Sequence, residues 1–497
     1  MELIIIKFLK RKISFSLSLK NTKELNLLLI IISSTIVCFT SCKKFVEVSP
    51  PTTSVNGPIV FASDKTATAV LNGVYVQLSS TSYPGFQTST TALWLGLSSD
   101  ELTLWNGVDN VIQKSYYENN LSSNVAGGEM WTQSYISVIT CNTIIEGLNN
   151  SSTLSLPVKK QLLGEAKFLR ALFYFYLTNL YGDVPMPLTS DYKINSLIPK
   201  TSQTEVYNQI ISDLIEAESS MSDQYVDASL IKGTSERTRP NKWVAKALLS
   251  RVYLYTKNWA KAEAKASEII DNSSLFSVKD VLLKDVFLRN SKEAIWQLQP
   301  VTTGYNTNTW EGKFFILPSS GPSTDYPVYI SSNLLKAFEP GDKRIINWID
   351  SVNISGEVFH YPSKYKESNA DAPVSEYQMV FRTAEQYLIR SEARAQVGDI
   401  NGAASDLNVI RTRAGLSNTF ASDKVSLIAA IQHDRQTELF CEYGHRWLDL
   451  KRTETIDQVM PTVSSSKGGV WKSTSQLYPI PLGEIQKNHN LSQNAGY

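Results

Sequence analysis

The stretch GEAKFLRALFYFYLTNLYGD (Gly164–Asp183) decides the fold class. Leu169, Leu172, Phe173, Tyr176 and Leu180 recur at three- and four-residue spacing and lay one broad apolar stripe along a helix. Gly182 ends it, with Pro185 and Pro187 just beyond. Upstream, MWTQSYISVITCNTIIEGL (Met130–Leu148) reads as a second helix. Earlier still, KTATAVLNGVYVQL reads as another, with Ala69, Val70, Gly73, Val74 and Gln77 on its repeating face. Thr204–Ser219 is a further amphipathic helix.

Downstream, Lys246–Ile270 and Tyr387–Gly415 both read as helix–turn–helix units. A shift of 141 residues superposes Ser250 on Ser391, Trp259 on Ile400 and Ala262 on Ala403. Small residues at such points let antiparallel helices approach closely, as in tetratricopeptide repeats, although no strict period of about 34 residues runs through the chain. Insertions must therefore separate the pairs. Residues 80–125 and 300–378, rich in Ser, Thr, Asn, Gly and scattered rings, are expected to be loop-rich insertions of that kind. Short strands are expected at EAIWQLQ (Glu293–Gln299) and EYQMVF (Glu376–Phe381). The fold class that follows is mostly α, with tetratricopeptide-like helix pairs as a scaffold.

A chain of 497 residues exceeds the usual single domain, yet helical arrays run long as one body. With 42% hydrophobic and 19% charged residues, disordered, collagen-like and simple coiled-coil chains are excluded. Forty-eight basic against 47 acidic side chains give no electrostatic reason to expect nucleic acid. Four cysteines and four histidines exclude a disulfide scaffold and a His-rich metal protein.

The N-terminus reads as a targeting segment. Lys7, Lys10, Arg11, Lys12, Lys20 and Lys23 precede the apolar run Leu25–Thr40, which Lys43 and Lys44 end too soon for a membrane span. Thr40 and Ser41 before Cys42 suit cleavage by a lipoprotein signal peptidase. Residues 1–41 are thus expected to be a signal peptide and Cys42 an acylated N-terminus holding residues 42–497, a single domain, on a bilayer. Cys141 and Cys441 sit in apolar helical patterns and read as buried free thiols.

No G-x-S-x-G elbow, H-E-x-x-H, C-x-x-C or P-loop occurs, and His433 and His445 have no companion cysteine. Asp100 and Glu101 are adjacent, so their side chains diverge and cannot straddle a glycosidic bond alone. No catalytic residue, metal or cofactor is expected. The better clue is aromatic residues in polar surroundings. A sugar presents an apolar C–H face that Trp and Tyr cover, and hydroxyls that Asn, Asp and Arg take up. Trp94, Trp105, Tyr305, Trp310 and Tyr326 are the candidate stacking residues, with Asn106 and Asp100 as hydrogen-bonding partners.

Several blocks then resemble one family. FVEVSP (Phe45–Pro50) follows the candidate lipidated cysteine, and NGVY (Asn72–Tyr75) lies in the first helix. Glu165–Ala171 through Tyr181–Pro185, AEQYLIRSEA (Ala384–Ala393) and DLNVIRTRAG (Asp406–Gly415) come next. ELFCEYGHRWLDLKR (Glu438–Arg452), YPIP (Tyr478–Pro481) and NAGY (Asn494–Tyr497) close the chain. In this order they resemble the SusD/RagB family of outer-membrane nutrient-binding lipoproteins of Bacteroidetes. The resemblance implies a tetratricopeptide-like helical body, glycans or related nutrients as cargo, and partnership with a SusC-like TonB-dependent outer-membrane transporter. It implies no catalysis, and places Arg170, Arg446 and Asp449 in packed polar networks. Two other functions fit the residues: a protein-interaction scaffold, and a helical glycan-cleaving enzyme.

Overall fold

The computed structural model describes residues 60–79, 88–302, 305–369 and 372–497. The segment 1–41, Cys42 and Phe45–Pro50 lie outside them, as do Tyr83 and the side chain of Tyr305. In chain order the elements begin with α1 (Asp64–Ser79), α2 (Thr88–Ser98), β1 (Leu102–Leu104), α3 (Val111–Tyr117), α4 (Glu129–Asn150) and α5 (Leu156–Tyr181). Then come β2 (Val184–Pro185), α6 (Tyr192–Asn195), β3 (Lys200–Thr201), α7 (Gln203–Ser220), α8 (Lys242–Tyr255) and α9 (Trp259–Ile270). Strands β4 (Ala294–Leu298), β5 (Val301–Thr302) and β6 (Tyr305–Asn306) lead to α10 (Trp310–Phe315), β7 (Val328–Ile330), α11 (Ser332–Ala337) and α12 (Lys343–Trp348). The hairpin β8 (Ile349–Ile354) and β9 (Glu357–Pro362) precedes β10 (Gln378–Arg382). The chain closes with α13 (Thr383–Val397), α14 (Ile400–Arg413), α15 (Lys424–Glu438), α16 (His445–Arg452), α17 (Ile456–Ser466) and α18 (Leu482–Lys487).

The fold is mostly helical, and the five antiparallel two-stranded ladders among the described residues form no closed sheet. Every side chain from Phe168 to Thr178 is buried, so α5 is enclosed on all sides. It packs between α4 and α7, and neighbours then follow as α7–α8, α8–α9, α9–α13 and α13–α14. Ser155 lies at its N-cap and Pro157 in its first turn; Gly182, at φ 76, closes its C-terminus in a conformation that costs glycine least. The two related helix pairs are α8–α9 and α13–α14, with Ala262 and Ala403 fully buried where the helices approach. The expected strands are β4 and β10, which pair with each other.

One expectation meets the structure differently. Helix α1 buries Ala67, Leu71, Val74 and Leu78, whereas Ala69 and Gly73 face outward, because the leucines carry more apolar area than the small residues of the expected face. Within the loop-rich insertions lie short elements: α2, β1 and α3 in the first, three helices and five strands in the second. Cys141 and Cys441 are buried and unpaired as expected, and burial pushes the Cys141 thiol up to about 12.

Buried ion pairs fix how the helices meet. From α5, Arg170 donates to both carboxylate oxygens of Asp213 on α7 (2.8 and 2.7 Å) and to Asn142 Oδ1 on α4 (2.8 Å). Arg251 on α8 grips Glu385 on α13 at 2.6 and 2.7 Å, and Arg390 joins Asp406 across α13–α14. Removing one partner of a buried pair strands the other charge, at about 3–5 kcal/mol. Arg170→Ala is therefore expected to lower unfolding free energy by about 3 kcal/mol in urea denaturation. Arg170→Met with Asp213→Leu should recover most of that loss.

Candidate ligand-binding site

Around the predicted Trp105 and Asn106 the chain builds a cavity of about 380 Å³ from segments far apart in sequence. Strands β1 and β7 alternate: Leu102, Leu104, Val328 and Ile330 face the core, so Thr103 and Tyr329 face outward together, directly paired in register. Trp105 extends the ladder by one bond, its backbone N–H donating to Pro327 O at 2.7 Å. Asn110 caps α3 by accepting from the N–H groups of Ile112 and Gln113 (3.0 and 3.1 Å). That helix then divides a tyrosine pair. Tyr116 turns inward to donate to Glu129, and Tyr117 turns to the cavity.

The wall is completed by Phe359 of β9, edge-on to Tyr329 with ring centroids 5.1 Å apart. Lys467, just past α17, donates to Leu97 O and Ser99 O at the end of α2, with its ammonium 5.0 Å over the Tyr117 ring. Burial pushes Lys467 down to about 7, against the opposing pull of Asp100 and Glu101. Four rings, Trp105, Tyr117, Tyr329 and Phe359, thus line a hollow whose polar groups include Asn106, Lys114, Lys467, Glu118, Glu357 and Ser466. Two cations face two carboxylates, so the hollow carries no dominant sign. It suits a neutral ligand with apolar faces and a hydroxylated edge.

The SusD family model matches residues 301–497, and a second, described as starch-binding associating with outer membrane, matches residues 44–254. The chain belongs to the SusD/RagB family. SusD-like protein P25 of Formosa agariphila is 24% identical, with 93% of this chain and 97% of that protein covered. The starch-binding protein SusD of Bacteroides thetaiotaomicron is 25% identical over 71% of this chain and 74% of its own. Among solved structures, a SusD superfamily protein from Bacteroides vulgatus superposes with TM-score 0.75 at 19% identity, covering 88% of this chain and all of that one. A laminarin-binding SusD-like protein gives TM-score 0.68 at 23% identity, covering 87% and 99%.

The SusD fold brings together only part of the expected site. Trp105 and Asn106 line the cavity, and Tyr326 packs against the small cluster of Leu317, Phe359 and Tyr361 behind it. Trp310 is half-buried under the Lys313 ammonium, 4.7 Å from its ring, and lines no part of this hollow. Tyr305 falls in β6. Two expectations fail: Trp94, 9% exposed, lies on α2 and stacks on Tyr116 at 4.7 Å, so its ring is spent on the core. Asp100 is buried and held by Arg446 through two 2.7 Å bonds, leaving it no role with sugar hydroxyls. Tyr117 and Tyr329 are absent from the sequence-based candidates. Tyr329 was within reach of the pattern, since LTL and VYI each alternate one outward position between two core positions. Phe359 and Lys467 give no such signal.

Asp100 and Glu101 instead position the site. The Asp100 carbonyl accepts from the Ser331 hydroxyl and the Glu101 carbonyl from the Ser331 N–H (2.9 Å), fastening β1 beside β7. Burial, reinforced by Asp100, pushes the Glu101 carboxyl up to about 8 despite a 3.3 Å bond from the Cys441 N–H. A carboxyl raised from 4.5 contributes stability that is complete below pH 4.5 and is lost as pH climbs through 8. Glu101→Gln, which keeps an acceptor for Cys441, is expected to flatten the fall in melting temperature between about pH 5 and about pH 9. A parent and variant with parallel pH profiles would contradict this assignment.

Proposed function

We propose that this protein captures a neutral oligosaccharide in the Trp105 cavity and does not cleave it. The observation that carries the reading is the quartet of rings around a concave surface with balanced charge. Trp105, Tyr117 and Tyr329 stack on sugar faces, and Asn106 takes a hydroxyl. Relatives support the class of ligand: one is named a starch-binding protein, and solved structures of similar fold include a laminarin-binding protein and surface glycan-binding protein A from Bacteroides fluxus. Acylation at Cys42 anchors the chain on the outer membrane, exposed at the surface, where it hands its cargo to a SusC-like TonB-dependent transporter. The N-terminal sequence pattern and the family description of outer-membrane association support that placement. Among the described residues no helix is long and apolar enough to cross a membrane.

Isothermal titration against a panel of neutral glycans tests the reading. Trp105→Ala is expected to weaken the best ligand about tenfold, since a stacked ring contributes about 0.5–1.5 kcal/mol beyond the area it buries. Unchanged affinity in Trp105→Ala, Tyr117→Ala and Tyr329→Ala, singly and combined, would discard the cavity. Incubation with the bound glycan is expected to release no new reducing ends.

A subtler variant separates placement from chemistry. A Cβ at Gly107 would stand 2.8 Å from Cζ2 of Trp105 and overlap its Cη2 and Cζ3. Gly107→Ala is therefore expected to push the indole aside, cutting glycan affinity with little change in melting temperature.

A further inference from the structure

A second cavity, about 790 Å³, lies between α12, α14 and the turn Leu283–Asp285, and shares no lining residue with the Trp105 cavity. Its charge is one-sided: Lys279, Lys284, Lys343 and Arg413 line it, and no acidic residue does. The Arg413 charge is already met behind the wall by Glu293 and Glu438. The three lysines make no ion pair among the described residues and reach solvent. Their positions are not all loose. The Lys343 side chain lies flat over Gly415, where a Cβ would stand 2.8 Å from Cε, and its backbone N–H donates to Ala414 O at 2.8 Å.

Between the lysines stand the amides of Asn347 and Asn408, and Leu282 and Val409 add an apolar wall. Unpaired like charges gathered around a hollow repel one another, and an anion seated among them relieves that repulsion. Amide donors and acceptors beside an apolar wall add what a pyranose needs, and the volume falls in the range of small-ligand sites. We propose that this cavity is a second binding site, for an acidic saccharide carrying a carboxylate or sulfate group. The choice of a saccharide among anions rests on the glycan reading above. The anionic character rests on the lysines alone.

Titration calorimetry of the soluble chain with a uronic-acid trisaccharide, a sulfated trisaccharide, a neutral trisaccharide and inorganic sulfate tests it. The three lysines are exposed, so Lys279→Gln, Lys284→Gln and Lys343→Gln combined is expected to fold with an unchanged circular dichroism melt. At low ionic strength at least one acidic trisaccharide is expected to bind tenfold or more tighter than the neutral one at this site. That advantage should shrink with added salt and vanish in the triple variant. Trp105→Ala is expected to leave it intact. Equal acidic-sugar binding by parent and triple variant overturns the proposal, as does a loss of that binding in Trp105→Ala alone. Inorganic sulfate binding as tightly as the sulfated sugar overturns the saccharide assignment. A parent chain that binds the acidic sugar and no neutral glycan would count against the Trp105 reading only.

Discussion

The carboxylate of Glu438 is the point on which the C-terminal half is hung. Three guanidinium groups converge on it: Arg344 from α12 (3.2 Å), Arg382 from β10 (2.6 Å) and Arg413 from the end of α14. Burial alone would raise this carboxyl, but Arg413, Arg382 and Arg344 outweigh burial and hold it below the ordinary carboxylate range. Each arginine is shared onward, Arg344 with Asp342 and Asp434, Arg382 with Glu293 and Glu442, and Arg411 joins through Asp434 and Glu339. Charges so far from water persist only while every partner stays in place. The network therefore specifies one mutual placement of α12, α14, α15 and the β4–β10 ladder.

From that hub the constraint passes to the Trp105 cavity along the chain itself. After Glu438 the backbone turns sharply, with positive φ at Cys441 (53°), Tyr443 (46°) and Gly444 (72°). Gly444 sits against Leu95 of α2, where a Cβ would stand 2.6 Å from the leucine Cβ. Two residues on, Arg446 grips Asp100, and the Asp100–Glu101 carbonyls hold Ser331 and hence β7 beside β1. The sequence ELFCEYGHRW is thus a mechanical link: one end sits in the buried charge network, and the other sets the strand pair that presents Trp105 and Tyr329.

Legibility in the sequence follows the range of the interactions involved. Helix α5, its stop at Gly182, both related helix pairs and the β4–β10 strands are readable because periodicity and end signals are local. Arg170, Arg446 and Asp449 sit in the polar networks that the family resemblance implies, whereas Asp100 reads as a ligand contact because its true partner lies 346 residues away. The rings show the same limit. Trp94 stands in the apolar run ALWLGL and stacks on Tyr116, whereas Trp105 stands before Asn106 and Gly107 and opens on a cavity. What brings Trp105 beside Tyr329 is the pairing of Leu102–Leu104 with Val328–Ile330, a partnership that neither strand's own pattern announces.

That division also explains how solved structures at 19–24% identity keep TM-scores of 0.68–0.75 over nearly their full length. A helix pair tolerates most substitutions that keep its stripe apolar and its close approaches small. Buried charge networks tolerate few, because each arginine serves several carboxylates at once. Most side chains that line the two cavities fall outside both constraints. The Trp105 cavity hangs on a ladder of three register pairs, and the charge of the second cavity comes mostly from exposed lysines that make no ion pair among the described residues. Ring identity and charge there can change without disturbing the scaffold. The scaffold and the lining of its cavities are accordingly under different physical constraints.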